Sequence, residues 1–437
     1  MPAPGLNLVG PESASGCCTF GAENLQQAAA KWPATPPTVA RSGTPTRTVT
    51  LVNGDLRLRA DHVVTPTGTV DDALLTISGT RVTSCSPHEP SPGQEPEHVP
   101  GWVVPGFVDT HVHGGGGSDY ATEDPQQAVD ARAFHAAHGT TTSLASLVTA
   151  PIELLCRQLK TLADVVEDGH FAGIHLEGPF LSPAQPGAHD PTLLREPDPA
   201  TVEQLITAGR GALMVITLAP ELPGADAAIR QLLDANVRVA FGHTDADQPA
   251  AVKALDAGAS VATHLFNAMR GIHHREPGPI PFLLTDDRMN VELIADGFHV
   301  HPDVLRLALA AGGPNRVMLV TDAMAASGMP DGEFRLGDRA VRVRDGQARL
   351  VTDDGKPGSI AGSTLTMARA FAVMTAITGD IPTVAGLAST NAARHYELAD
   401  AGRIEPGCRA DLCVVDDQGG LQRVMRDGQW LPRPESR

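Results

Sequence analysis

Imidazole and carboxylate side chains follow apolar runs at several places along the middle of the chain. These residues are His111 and His113, Glu177, His243, His264, Asp296 with His299, and Asp322. Neutral imidazoles and carboxylates are the donors that divalent transition metals bind in proteins. A metal held among them would acidify a water ligand and supply a hydroxide nucleophile. The residue types therefore predict a hydrolytic metal centre.

Each of these residues also has a structural explanation when it is taken alone. A His-x-His pair such as His111 and His113 often consists of loop or core histidines. Glu177 could simply end a strand, and Asp322 could cap the following helix. The prediction of a metal centre depends on all of these residues occurring together, because independent structural roles rarely place His, Glu or Asp at the end of one strand after another.

Short apolar runs alternate with Ala- and Leu-rich helical stretches through the same region. The runs are 103–110, 140–147, 172–177, 213–219, 237–242, 260–264, 291–295 and 317–321. Eight strands alternating with helices over roughly 220 residues are typical of an α/β fold of the (β/α)8 TIM-barrel type, whose active site lies at the carboxyl ends of the strands. A doubly wound sheet is the competing architecture, but the tract HGGGGSD after the first run has neither a P-loop Lys nor a Gly-x-Gly-x-x-Gly pattern.

Two β-like regions flank this middle part. Residues 48–104 and 396–437 consist of short apolar runs divided by turn signals, which are Gly, Pro and Asn-Gly in the first region and Asp-Gly and Gly-Gly in the second. They predict a small β-sandwich domain assembled from both ends of the chain. The barrel is then expected over 105–395, with a β-hairpin insertion near 333–358. Residues 1–47 are rich in Pro, Ala, Ser, Thr and Gly, and are predicted to form a disordered extension.

Composition narrows the classes of function. The 437 residues carry 33 Lys and Arg against 51 Asp and Glu, a net charge of −18 that argues against nucleic acid as a partner. No apolar run reaches the ~18 residues of a membrane-spanning helix, and the N-terminus lacks the pattern of a secretory signal. The 6 cysteines form no CxxC pair. We therefore expect a cytoplasmic protein that binds neither nucleic acid nor a membrane.

Seven motifs resemble, in the same order, those of the N-acetylglucosamine-6-phosphate deacetylase family within the amidohydrolase superfamily. They are PGFVDTHVHG, HLEGPF, GHTDAD, THLFNAM, REPG, TDAM and IAGSTLTM, and the similarity runs from about Val49 to the C-terminus. The first motif is common to many amidohydrolases, whereas HLEGPF combined with THLFNAM is far more specific. The resemblance implies metal-dependent hydrolysis of the acetamide of N-acetylglucosamine 6-phosphate, in amino-sugar catabolism or cell-wall sugar recycling.

The resemblance assigns the primary metal ligands to Glu177, His243 and His264. Dihydroorotase-like relatives instead carry a carboxylated Lys on the fourth strand, and the fourth strand here, ALMVITLAPE, has none. His111 and His113 are retained where some deacetylases have non-ligating Gln and Asn, so these two residues and Glu177 offer a second site. One or two divalent ions per subunit are expected, with zinc as the default and iron, manganese or cobalt as alternatives.

The resemblance also implies the remaining roles. Asp322 would accept a proton from the nucleophilic water and return it to the departing nitrogen, while His189 would polarise the scissile carbonyl. Arg275 and His299 resemble residues that hold the sugar phosphate, and Arg275 is expected to reach across the interface of a homodimer. Further substrate contacts are expected at Ala188, Asn267, Ala268, Asp296, Ile360, Ala361 and Gly362.

Two other functions are compatible with the same motifs. One is deacetylation of a related sugar phosphate, such as N-acetylgalactosamine 6-phosphate. The other, from a different class, is a non-catalytic amidohydrolase-like scaffold. The presence of every metal ligand and of Asp322 disfavours the scaffold.

Overall fold

The computed structural model describes residues 55–90, 95–352 and 355–432. The extension predicted at 1–47 lies outside these ranges, and the domain boundaries given above stay predictions. Within the described ranges, no helix combines the length and the apolar character that crossing a bilayer requires.

Eight parallel strands in the middle of the chain form one sheet that is nearly closed into a barrel. In chain order, the first to the eighth barrel strands are Phe107–Asp109, Thr140–Leu147, Gly173–Glu177, Leu213–Leu218, Arg238–Phe241, Val261–Ala262, Asn290–Ile294 and Val317–Val320. The segments at the two ends of this sheet meet through side chains, because Thr321 Oγ1 donates to Asp109 Oδ2 at 2.6 Å. The predicted (β/α)8 fold class is confirmed.

Helices alternate with the barrel strands and pack against them through a continuous apolar core. Their bounds are Pro125–Ala137, Ile152–Glu167, Pro199–Gly209, Ala225–Asp234, Gln248–Asp256, Ile280–Thr285, Pro302–Gly312, Met367–Thr378, Ile381–Ala385 and Asn391–His395. A 3₁₀ turn at Pro191–Leu193 and a π-helical turn at Gly386–Thr390 also occur. Asp124, Asp198 and Asp247 cap three of the helices, each followed by Pro within two positions. Such caps fix where a loop from the barrel ends and the helix begins.

Segments from both ends of the described chain build a second sheet of seven strands. Its spatial order is Gln429–Trp430, Leu421–Arg426, Leu412–Val415, Glu97–Pro105, Asp55–Thr65, Gly68–Ser78 and Arg81–Pro87. The two ends join where Glu97–Pro105 pairs antiparallel with Leu412–Val415. Inward-facing side chains of the sheet, including Leu58, Leu75, Val103 and Leu412, form their own apolar cluster. The predicted small β domain built from both termini is thus confirmed.

A third, antiparallel sheet follows the eighth barrel strand. Its four strands are Gly332–Leu336, Arg339–Arg344, Gln347–Val351 and Pro357–Ile360, where the sequence suggests only a hairpin. One face of this sheet packs on Val148, Met324 and Ala326 from the barrel loops. Because of that packing, this sheet forms a wall of the barrel mouth. A short two-stranded ribbon, Gly114–Gly115 with Ser118–Asp119, lies after the first barrel strand.

Candidate metal centre

The carboxyl ends of the barrel strands open into a cavity of about 400 Å³. This volume lies within the usual range of small-molecule sites, roughly 300–1,000 Å³. The titratable residues singled out in the sequence that line the cavity are His113, Glu177, His189, His243, His264, His299 and Asp322. The barrel topology therefore gathers, at one mouth, side chains that are as distant in sequence as His113 and Asp322.

Glu177 ends the third barrel strand and lies at the centre of the cluster. Its Oε1 is 3.1 Å from His243 Nε2 and 2.9 Å from His264 Nε2. Those two nitrogens are 3.2 Å apart, and all three residues are buried. We call Glu177, His243 and His264 the first cation group.

The other oxygen of the same carboxylate faces a second pair of imidazoles. Glu177 Oε2 lies 3.6 Å from His111 Nε2 and 3.4 Å from His113 Nε2, and the two nitrogens are 3.1 Å apart. These residues are also buried. We call His111, His113 and Glu177 the second cation group, so that Glu177 belongs to both groups and presents one oxygen to each.

Hydrogen bonds on the far side of two rings indicate which nitrogens can bind a cation. His243 Nδ1 is 3.1 Å from the Gln185 carbonyl oxygen, and His111 Nδ1 is 3.2 Å from Glu292 Oε2. Both partners only accept, so these Nδ1 atoms carry protons and the Nε2 lone pairs are available toward Glu177. The donor set therefore fits one cation at each oxygen of Glu177.

The electrostatics of the second cation group also favour positive charge. Burial lowers the pKa of His113, whereas hydrogen bonding to Asp322 and Glu177 raises it, with a net result of about 9. For His111, burial likewise lowers the pKa, but the charge of Glu177 and further carboxylates raises it well above its usual value. The surrounding carboxylates thus stabilise either a proton or a metal ion at this position.

Backbone strain marks the residues that follow the fifth, sixth and eighth barrel strands. His243, His264 and Asp322 have φ angles of 48°, 27° and 50°, in the left-handed region that side chains other than Gly rarely adopt. Such conformations cost on the order of 1–3 kcal/mol each and persist where surrounding contacts fix them. One such contact is the 2.8 Å hydrogen bond from Asp322 N to the His111 carbonyl oxygen.

The loop after the third barrel strand passes closely over the first cation group. At Gly187, with a φ of +56°, an added Cβ would lie 2.7 Å from His243 Cε1. Only Gly allows the backbone to approach the ring at this point, which explains Gly187 in the sequence QPGAHD. The same approach places the Gln185 carbonyl oxygen against His243 Nδ1.

Asp322 lies beside the second cation group. Its Oδ1 is 3.1 Å from His113 Nε2 and 3.6 Å from His111 Nε2. Burial raises the pKa of Asp322, but hydrogen bonding to His113 and the charge of His111 outweigh it, so the pKa lies below the usual range. The carboxylate is therefore ionised.

His189 projects from the same loop with a defined tautomer. Its Nδ1 receives the backbone N–H of Thr149 at 3.4 Å and lies 2.9 Å from Thr149 Oγ1. Because an N–H can only donate, Nδ1 accepts and the ring proton is on Nε2, which lies 3.4 Å from Glu177 Oε2. Burial and the nearby charge of His243 lower the pKa of His189 to about 4. A neutral ring thus keeps an N–H donor at the cavity.

The structure brings most of the expected substrate contacts to the cavity. Those that line it are Ala188, Asn267, Ala268, His299, Ile360 and Gly362. Ala361 is fully buried behind the lining. Asp296 supports His299, since its Oδ2 lies 2.6 Å from His299 Nδ1.

Arg275 is not brought to this cavity within the single chain. It is exposed on a loop, where its Nη1 lies 2.7 Å from His274 Nε2. Its role in phosphate binding therefore stays a prediction.

The sequence analysis did not identify three residues that contact the imidazole rings of the site. Glu292 faces His111, the Gln185 carbonyl faces His243, and Thr149 faces His189. A charged residue inside the apolar run VELIA was a signal for Glu292. A backbone carbonyl such as that of Gln185 carries no signal in the sequence.

A parallel barrel with Glu and His side chains at its strand ends defines a hydrolase of the metal-dependent amidohydrolase type. A profile of the Amidohydrolase family matches residues 102–431. The chain belongs to this family, and the family membership inferred from the motifs is confirmed.

Known relatives of the chain are amino-sugar phosphate deacetylases. The N-acetylgalactosamine-6-phosphate deacetylase of Escherichia coli O157:H7 is 38% identical over 379 residues, which are 85% of this chain and 98% of that protein. The N-acetylglucosamine-6-phosphate deacetylase of Bacillus subtilis (strain 168) is 34% identical over 367 residues, which are 81% of this chain and 91% of the relative.

A solved structure extends the similarity to three dimensions. A mutant of N-acetyl-D-glucosamine-6-phosphate deacetylase from Mycobacterium smegmatis, in complex with N-acetyl-D-glucosamine-6-phosphate, superposes with a TM-score of 0.82 at 44% identity. The match covers 86% of this chain and 99% of the other. The predicted resemblance to this group of deacetylases is confirmed.

Proposed function

We propose that this amidohydrolase hydrolyses the acetamide of N-acetylglucosamine 6-phosphate to glucosamine 6-phosphate and acetate. The observation that carries the proposal is the placement of Glu177, with an imidazole pair at each oxygen and Asp322 beside it, at the mouth of a barrel. The relation to an enzyme solved with that sugar phosphate, at 44% identity, supports the choice of substrate.

Glu177, His243 and His264 would hold the first divalent cation, and His111, His113 and Glu177 a second one. A cation bound there supplies Lewis-acid activation of a water molecule and of the amide carbonyl. Zinc suits these imidazole and carboxylate donors, as do iron, manganese and cobalt, and we propose zinc as the default ion.

Asp322 is the proposed acid–base group. Its lowered pKa keeps the carboxylate ionised, so Oδ1 can accept a proton from the attacking water and later deliver it to the leaving nitrogen. Amine departure needs this proton, because an amide nitrogen is a poor leaving group. General acid–base catalysis of this kind contributes about 10²- to 10⁴-fold to a rate.

His189 is the proposed donor to the carbonyl oxygen of the substrate. Its Nε2–H is fixed by the acceptor role of Nδ1 toward Thr149, so that the ring does not need to reorient during the reaction. A donor preorganised toward the position where negative charge develops lowers the barrier.

The phosphate would bind at the rim, between His299 and Arg275. The described residues that line the cavity include His299 but no Lys or Arg. A phosphate therefore needs a cation from outside the lining, and an exposed guanidinium provides paired donors of suitable geometry. This need supports our proposal of a homodimer in which Arg275 enters the partner's site.

The cytoplasm is the proposed location. The cysteines in the described part of the chain, Cys85, Cys156, Cys408 and Cys413, are free thiols, which fits a reducing compartment.

N-acetylgalactosamine 6-phosphate is the second candidate substrate, and the Escherichia coli O157:H7 relative favours it. Acetate release from both epimers, measured as kcat/KM on zinc-loaded protein, decides between the two sugars. We expect the gluco epimer to be preferred. Release from neither epimer would refute deacetylation of this class of substrate.

A further inference from the structure

Glu292 is a buried carboxylate to which the proposed mechanism gives no task. It lies in the seventh barrel strand, Asn290–Ile294, and is 2% exposed. A charged group in a protein interior is costly unless it is paired or hydrogen-bonded. The partners of Glu292 therefore indicate what the residue does.

The carboxylate of Glu292 contacts both cation groups from below the cavity. Its Oε2 lies 3.2 Å from His111 Nδ1 and accepts a hydrogen bond from His264 N at 3.3 Å. Its Oε1 accepts from Thr110 Oγ1, also at 3.3 Å. Glu292 thus touches a ring of the second cation group, but only the backbone of the first.

A carboxylate at Nδ1 affects a ligand imidazole in two ways. It holds the proton on Nδ1 and fixes the ring plane, and it makes Nε2 a stronger donor to a metal. In the first cation group, the partner of His243 Nδ1 is the neutral Gln185 carbonyl at 3.1 Å. A full negative charge therefore supports His111, whereas only a dipole supports His243.

We infer that Glu292 is a positioning residue that orients His111 and sets the cation affinity of the second cation group. The inference rests on the proposed metal centre and goes beyond it, because it makes one cation site depend on a residue that binds neither metal nor substrate. The selective effect arises because replacement of Glu292 removes the charged partner of the His111 ring. In the first group, Glu292 touches only the backbone N–H of His264, and the His243 ring keeps the Gln185 carbonyl.

Zinc titration of the metal-stripped full-length protein against a chromophoric competitor tests the inference. Glu292→Gln keeps the size and an acceptor oxygen but removes the charge, whereas Glu292→Leu removes the acceptor altogether. We expect zinc affinity at the second cation group to fall about 10- to 100-fold in Glu292→Leu and by less in Glu292→Gln. Affinity at the first cation group should change by less than about threefold, since Glu292 contacts neither of its imidazole rings and His243 keeps the Gln185 carbonyl.

Thr217→Val is the matched control. The Thr217 hydroxyl is buried in the same barrel interior and lies 2.8 Å from His175 Nε2, outside both cation groups. Its removal should leave the zinc affinities of both cation groups unchanged. A loss of zinc affinity at the second cation group that occurs in the Glu292 variants but not in Thr217→Val is then not a general effect of a disturbed barrel interior.

Equal losses at both sites in Glu292→Gln, or an unchanged second site in both variants, would overturn the inference. A wild-type chain that binds a single zinc would overturn it as well, but would leave the proposed deacetylation intact. The proposed deacetylation is tested separately: it would be refuted if the zinc-loaded wild-type protein released no acetate. If Glu292→Leu does not fold by circular dichroism, Glu292→Gln decides the outcome.

Discussion

The interior of the barrel mouth and its rim are built on different principles. In the interior, Glu177, His243 and Asp322 lie at the carboxyl ends of barrel strands and are buried. At the rim, Arg275 lies on an exposed loop, where its side chain forms a hydrogen bond with the neighbouring His274. The groups proposed for bond cleavage are thus complete within one chain, while those proposed for phosphate recognition are not.

This difference has a physical basis. Cleavage requires groups fixed within fractions of an ångström in a dry environment, and strand ends of a closed sheet provide that rigidity. A phosphate is large, doubly charged and partly hydrated, so a cation on a loop or on a second subunit can bind it. Changes in the interior should therefore act on the chemical step, and changes at the rim on the affinity for phosphorylated sugar.

The largest effect is expected from Glu177→Gln. Glu177 presents an oxygen to both cation groups, so removal of its charge weakens both at once. We expect zinc content to fall at both sites and kcat/KM to drop by at least about a thousandfold, which corresponds to roughly 4 kcal/mol. Elemental analysis and acetate release measure the two quantities. Glu203→Gln, at an exposed helix position, is the control and should change neither zinc content nor kcat/KM. A fully active Glu177→Gln variant would disprove the central role of Glu177 in the metal centre.

Asp322→Asn should separate catalysis from metal binding within the interior. The change preserves size but removes the proton acceptor, so we expect about a 10²- to 10⁴-fold loss of kcat with the zinc of the first cation group retained. Metal content and turnover are measured on the same preparation. Loss of that zinc in the variant would instead make Asp322 a ligand.

Arg275→Ala tests the rim. We expect KM to rise much more for the phosphorylated sugar than for unphosphorylated N-acetylglucosamine, because the charge-assisted contact exists only with the phosphate. The loss should be on the order of 2–3 kcal/mol, or roughly a hundredfold in kcat/KM. Arg306→Ala, on an exposed helix, is the control. Equal losses on both substrates would contradict a role in phosphate binding.

A mixing experiment locates Arg275 relative to its site. Hybrid dimers of Arg275→Ala with Asp322→Asn contain one site that has its own Asp322 and the Arg275 of the other subunit. Recovery of activity in such hybrids is expected if Arg275 crosses the interface. A phosphate-selective defect without recovery in verified hybrid dimers would place Arg275 in the site of its own subunit.

The smallest effect is expected from deletion of residues 1–47. Their composition offers few large apolar side chains for burial, so neither the interior nor the rim should depend on them. Activity and melting temperature should stay nearly unchanged, as measured by acetate release and thermal unfolding. A fall of many degrees would show that this segment packs against the rest of the chain.

The sequence by itself determined the barrel and the identities of the residues at its strand ends. This was readable because apolar runs of regular spacing specify parallel strands, and the carboxyl ends of such strands meet at one face. Glu177, His243 and Asp322 could therefore be assigned to one site before any distance was known. The family motifs then supplied the proposed roles of His189 and Arg275, which the pattern of strands does not specify.

Only the tertiary structure decided how these residues face one another. The sharing of Glu177, one oxygen to each imidazole pair, depends on side-chain directions set by left-handed backbone at His243 and His264. The partners of the ring Nδ1 atoms, a carbonyl for His243 and Glu292 for His111, come from loops and strands distant in sequence. Hydrogen bonds of this kind depend on angles and distances between segments, which residue types and their spacing do not encode locally.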